Sequence, residues 1–159
     1  MPTIRLQRED FDVAAEIAAL TRSRTDIGAV ATFTGICRDN DGGASVAAMT
    51  LEHYPGMAEA EIARHVEDAQ SRWPLLGVTV IHRFGRMVPG DNIVLVAVAA
   101  PHREPAFAAA EFLMDYLKTR APFWKKEEHA EGAQWVAAKR HDDAAAERWT
   151  APRRPQAAE

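Results

Sequence analysis

The spacing of apolar and polar positions changes period several times along the chain. Phe11, Ala14, Ile17, Ala18 and Leu20 recur at helical intervals, so a helix is predicted over 10–20, with Asp10 as its cap. Arg22 to Asp26 is polar and reads as a loop. Gly28 to Gly35, GAVATFTG, is rich in small, β-branched and aromatic residues and predicts a strand. Arg38 to Ala44, RDNDGGA, is the strongest turn signal. A plain surface connection is its more economical reading, and a cover over a site the alternative. Val46 to Tyr54 predicts a second strand, with Met49, Leu51 and His53 alternating against Thr50, Glu52 and Tyr54.

Pro55-Gly56 opens a predicted helix. Ile62, Val66, Ala69 and Trp73 form its apolar face, and Pro74 stops it. Val78–Phe84 and Asn92–Ala100 predict two strands joined by a turn, GRMVPGD. The clearest helix runs from about 103 to 120, with Phe107, Ala110, Met114 and Leu117 on one stripe and Pro122 barring its continuation. Phe123–Glu127 and Gln134–Ala137 read as short strands around a Glu131-Gly132 turn. A last, alanine-rich helix from about Lys139 to Trp149 gives way to a flexible tail over 151–159.

Strands and helices interleave without a regular βαβ beat, and no glycine-rich phosphate loop follows a strand. The expected class is therefore α+β, in one domain over 1–150. Composition agrees: of 159 residues, 47% are hydrophobic and 26% charged, which suits a soluble globular core and excludes global disorder. The formal net charge is −4, which argues against a bulk-electrostatic nucleic-acid binder. Cys37 is the single cysteine, so an internal disulfide is excluded and a reducing, cytoplasmic setting is expected. The opening MPTIRLQRED lacks the apolar stretch of a secretory signal.

Basic residues cluster between His102 and Lys126. His102 and Arg103 stand at the start of the 103–120 helix, where unpaired backbone N–H groups favour an anion. Lys118 stands in its last turn, about 25 Å away along the axis. The two ends therefore serve separate regions, or two subunits bring opposite ends to one pocket in a dimer. Lys125 and Lys126 are strand neighbours and point to opposite faces. A lysine turns nucleophilic only when burial or nearby positive charge lowers its pKa, and a helix C-terminus does the reverse. Lys118 thus needs Lys125 or an arginine close by to react, and solvated surface charge is the plainer reading of each lysine. His65, His129 and His141 read as ordinary structural or surface histidines. No metal-ligand spacing, nucleophile elbow or Walker motif is present. Cys37 reads as a packing group.

VATFTGICR (Val30–Arg38), LEHYPGM (Leu51–Met57), RWPLLGVTVIHRFG (Arg72–Gly85), APHR (Ala100–Arg103) and above all MDYLKTRAPFWKKE (Met114–Glu127) resemble the MoaE family, the large catalytic subunits of molybdopterin synthase. The resemblance runs in order from about Gly28 to Trp149. It implies an α/β-hammerhead fold with an additional small antiparallel sheet subdomain. It implies a sulfurtransferase that builds the dithiolene of molybdopterin from cyclic pyranopterin monophosphate. The sulfur would arrive as a thiocarboxylate on the Gly-Gly terminus of a small ubiquitin-like MoaD-type partner, docked at each end of a central homodimer. No cofactor or metal is implied. The catalytic lysines of the family fall on Lys118 and Lys125. Its substrate-binding positions fall on Ile36, Cys37, Arg38, His102, Arg103, Lys126 and Glu127. Ile36 stands where the family often has lysine. A family arginine near the end of the chain falls on Lys139, with Arg140 beside it. The competing expectation is a non-catalytic phosphate-ligand-binding or scaffolding dimer of the same fold.

Overall fold

A computed structural model describes residues 1–130, 132–136 and 140–150, the side chains of Arg140 and His141 excepted. The order of elements is β1 (Thr3–Gln7), α1 (Val13–Thr21), β2 (Ala29–Ile36), β3 (Asn40–Asp41), β4 (Ala44–Ser45), β5 (Ala48–His53), α2 (Met57–Arg72), β6 (Gly77–Arg83), β7 (Gly85–Met87), β8 (Asn92–Ala100), α3 (Arg103–Thr119), β9 (Phe123–His129), β10 (Gly132–Val136) and α4 (Arg140–Glu147). The class is α+β, as expected.

One sheet has the order β1-β6-β8-β2, with β1 parallel to β6 and the other pairs antiparallel. Strand β8 is its buried centre. Val94, Val96, Val98 and Ala100 face one core with Ile62 and Val66 of α2 and Ala109 and Leu113 of α3. Leu95, on the opposite face, joins Ile81 and Phe11 beneath α1. Burial on both faces is why β8 reads as an unbroken apolar run. The second sheet, β10-β9-β5-β7, is antiparallel throughout and packs Met49, Leu51, Met87 and Cys37 into a smaller core.

Several local expectations are corrected. Asp12 rather than Asp10 caps α1, accepting from the Ala15 amide at 3.0 Å, while Asp10 accepts from Phe11 and Asn92. Pro55 lies outside α2, whose N-cap is Gly56 at φ 82°; the Gly56 amide donates to Glu59 at 2.8 Å. Part of the GRMVPGD turn is strand β7, paired with β5. Gly85, at φ 89°, makes the corner that carries the chain from one sheet to the other. Strand β1 was not anticipated, because its support is a parallel pairing with a strand more than seventy residues away. β9 runs two residues further than predicted, to His129. The tail expected over 151–159 lies outside the described residues.

Candidate active site

The two sheets and the C-terminal end of α3 enclose a cavity of about 580 Å³. The end of β2 and the residues after it supply Phe33, Ile36, Cys37 and Arg38. The last turns of α3 supply Met114, Leu117 and Lys118, and β9 supplies Phe123, Lys125 and Glu127. The β3–β4 hairpin, formed by the segment read as a surface connection, contributes Asn40 and Asp41, and α4 contributes Asp142. The hairpin turns through Gly42 and Gly43, with the Gly43 amide donating to Asn40 Oδ1 at 2.9 Å.

Local sequence explains each placement. Pro122 ends the helical run, the Arg120 amide donates back to Tyr116 at 2.9 Å, and the chain enters β9 within three residues. Lys118 and Lys125 are thereby brought from consecutive elements to one recess. On β9, positions 123, 125 and 127 point to the cavity, while Lys126 lies on the other face, opposite Thr50 and Trp135 in the strand register. At the end of β2 the pairing with β8 shifts register between Gly35 and Ile36. Cys37 then bonds the 88–91 turn, donating its amide to Asp91 and accepting from Gly90, both at 2.8 Å. That clamp holds Arg38 at the rim.

The structure brings Ile36, Cys37, Arg38, Lys118, Lys125 and Glu127 together. It does not bring His102 and Arg103 to them: both are exposed at the opposite end of α3. Lys139 and the side chain of Arg140 lie outside the described residues.

The lining is not uniformly basic: Arg38, Lys118 and Lys125 stand with Asp41, Glu127 and Asp142. Glu127 is 5% exposed and sits 3.2 Å from Lys125 Nζ. Burial and the nearby Asp91 push the Cys37 thiol up, so it is a poor nucleophile at neutral pH. His82, which sequence reading did not single out, also lines the cavity. Burial drives its pKa down to about 4, with Lys118 and His53 acting the same way. Its Nδ1 donates to the Arg83 carbonyl at 2.8 Å, so the ring is neutral with Nε2 as the acceptor. The sequence signal was a lone histidine inside an apolar strand, which usually marks packing.

Among the described residues, no group of three or more His, Cys, Asp and Glu side chains could hold a metal ion, and no helix is long and apolar enough to cross a membrane.

The family model described as MoaE protein matches residues 6–120. The chain belongs to the MoaE family. A molybdopterin synthase catalytic subunit from Mesorhizobium japonicum is 63% identical to this MoaE-family chain over 150 residues, 93% of each. A solved molybdopterin biosynthesis MoaE protein from Burkholderia ambifaria has a TM-score of 0.81 at 52% identity, over 96% of this chain and 100% of that one. A complex of subunits 1 and 2 of molybdopterin-converting factor from Helicobacter pylori matches with a TM-score of 0.68, over 86% of this chain and 90% of that one. At 18% identity that last likeness speaks for the MoaE fold alone.

Proposed function

We propose that this chain is the catalytic subunit of a molybdopterin synthase. It moves sulfur from the C-terminal thiocarboxylate of a small ubiquitin-like partner to cyclic pyranopterin monophosphate and so forms the dithiolene of molybdopterin. The observation that carries this reading is the convergence of Lys118 and Lys125 on one recess in a MoaE-family chain.

A cavity of about 580 Å³ suits a bicyclic or tricyclic substrate together with an extended peptide end. The phosphate is held by Arg38 at the rim, where a guanidinium can make a bidentate contact. Lys118 works at the thiocarboxylate carbonyl. As an ammonium it stabilises the developing oxyanion, and as a free amine it attacks the carbonyl carbon. In the direct route the thiocarboxylate sulfur bonds to a substrate carbon and the cyclic phosphate opens. Water then cleaves the bond between the acyl carbon and sulfur, and the partner leaves as a carboxylate. Lys125 contacts the substrate beside Glu127. His102 and Arg103 are about 24 Å from Lys118 along α3, so they reach a cavity only from a second copy of the chain. That requires a homodimer with one small partner per cavity. Residues 1–150 make up the catalytic unit. The free, buried Cys37 suits the cytoplasm.

The test is reconstitution. The purified chain, a thiocarboxylated small partner and cyclic pyranopterin monophosphate yield molybdopterin under this reading. Binding of substrate and partner without product would favour the non-catalytic dimer instead.

A further inference from the structure

Strand β9 carries Lys125, Glu127 and His129 at alternate positions of one face. The Glu127 carboxylate is shared between its neighbours: Lys125 Nζ lies 3.2 Å from Oε1, and His129 Nε2 lies 3.1 Å from Oε2. The other ring nitrogen of His129, Nδ1, is 2.8 Å from the Ser45 carbonyl oxygen. A carbonyl only accepts, so Nδ1 carries a hydrogen. In a neutral ring Nε2 would then present a lone pair to a carboxylate that is also an acceptor. Such a pair repels. Nε2 is buried, sits off the axis of a hydrogen bond and has no other partner among the described residues. The contact becomes attractive only with a second proton on the ring, which makes it an ion pair.

We propose that His129 is a positioning residue: a second proton on its ring turns the 3.1 Å contact with Glu127 into an ion pair that fixes the carboxylate, whose other oxygen then aims the Lys125 amine into the cavity. The consequence is one of charge. With the proton in place, His129 answers the Glu127 charge, and Lys125 remains a surplus cation for an anionic ligand. Without it, Lys125 is drawn to Glu127 and its charge is neutralised. The role of Lys125 rests on the function proposed above, whereas the location of the proton does not.

Two substitutions separate the two bonds of the ring. His129→Asn keeps an amide donor near the Nδ1 position for Ser45 and removes the contact to Glu127. His129→Gln places a donor near the Nε2 position and gives up Ser45. The expected results begin with nitrogen NMR of the unaltered chain at neutral pH, in which both ring nitrogens of His129 are protonated. The rate of Lys125 acylation by a small reagent, read by mass spectrometry, shifts at least about fivefold in His129→Asn and returns in His129→Gln. In the reconstituted synthase, KM for the phosphorylated substrate rises about tenfold in His129→Asn with little change in kcat, and Gln restores it. A neutral ring in the unaltered chain overturns the proposal. So does an unchanged Lys125 labelling rate in a folded His129→Asn chain, or an Asn variant that outperforms Gln. If the ring is doubly protonated and the labelling follows this order while no molybdopterin forms, the positioning role stands and the functional reading fails.

Discussion

The imidazole of His82 lies against the Phe123 ring with centroids 4.2 Å apart and planes inclined by 19°. This stack joins the central sheet to the first residue of β9 and forms part of the cavity wall. It also buries a titratable ring, and a proton on that ring would place a charge where water cannot solvate it. The native pKa of His82 is about 4, against about 6.5 when unfolded. Between those values the unfolded chain binds more protons, so stability falls as pH falls. The contribution is complete above about pH 6.5 and is lost toward pH 4, a change of about 3 kcal/mol. His65, whose pKa burial also lowers, acts in the same direction. Urea unfolding at pH 7 and pH 4 should show this loss, and His82→Asn should reduce it. Equal pH slopes in the two proteins would refute the assignment.

Lys118→Ala should lower molybdopterin formation by about 10²-fold or more, the scale on which a transition-state contact is lost. The thermal midpoint should move little, because the side chain reaches a cavity rather than the core. Lys126→Ala, on the far face of β9, should stay within a few-fold of the unaltered chain. Single-turnover assays of the two variants side by side check the contrast.

Asp115 anchors Arg148 and Trp149, just after α4, to α3. Its Oδ2 accepts from Trp149 Nε1 at 2.6 Å and from Arg148 at 2.9 Å, and Arg72 donates to the Trp149 carbonyl at 3.1 Å. Asp115→Ala should destabilise the chain by about 1–3 kcal/mol, since it leaves a half-buried indole N–H unpaired. Because α4 carries Asp142 to the cavity, substrate KM should rise as well. Denaturant unfolding and steady-state kinetics test the two halves separately.

Leu113 is 1% exposed between α3 and the central sheet. Leu113→Ala should cost about 2–5 kcal/mol, the range for a cavity left in a packed core. A shift of the urea midpoint without a change in slope would be the expected form.

Gly28 faces the Pro101 carbonyl so closely that a Cβ would overlap it. The obstacle is backbone and cannot rotate away. Gly28→Ala should therefore lower the thermal midpoint by several degrees, whereas Gly42→Ala meets no neighbour and strains only its own φ of 61°.

Much of the fold was legible because its causes are local. The double-sided burial of β8, the stop at Pro122 and the α3 stripe of Ala110, Met114 and Leu117 are written in short-range spacing, although Phe107, expected on the same stripe, is exposed. Lys118 and Lys125 were marked out by the family resemblance, because their spacing alone reads as solvated surface charge. The β1–β6 pairing was not legible, since nothing near Thr3–Gln7 signals its distant parallel neighbour. Nor was the hairpin at Asn40–Ser45 as a cavity wall, because glycine-rich turns look alike wherever they lie.

Residue chemistry along the chain set the class and most of the order of helices and strands, and the family resemblance of its motifs marked Lys118 and Lys125. Tertiary packing alone decided that His82 is a neutral ring, that Glu127 is shared by Lys125 and His129, and that the Asn40–Ser45 hairpin and α4 close over the same recess as Lys118. Charge state and partnership depend on burial and on distances between residues far apart in sequence, and those exist only once the sheets close on α3.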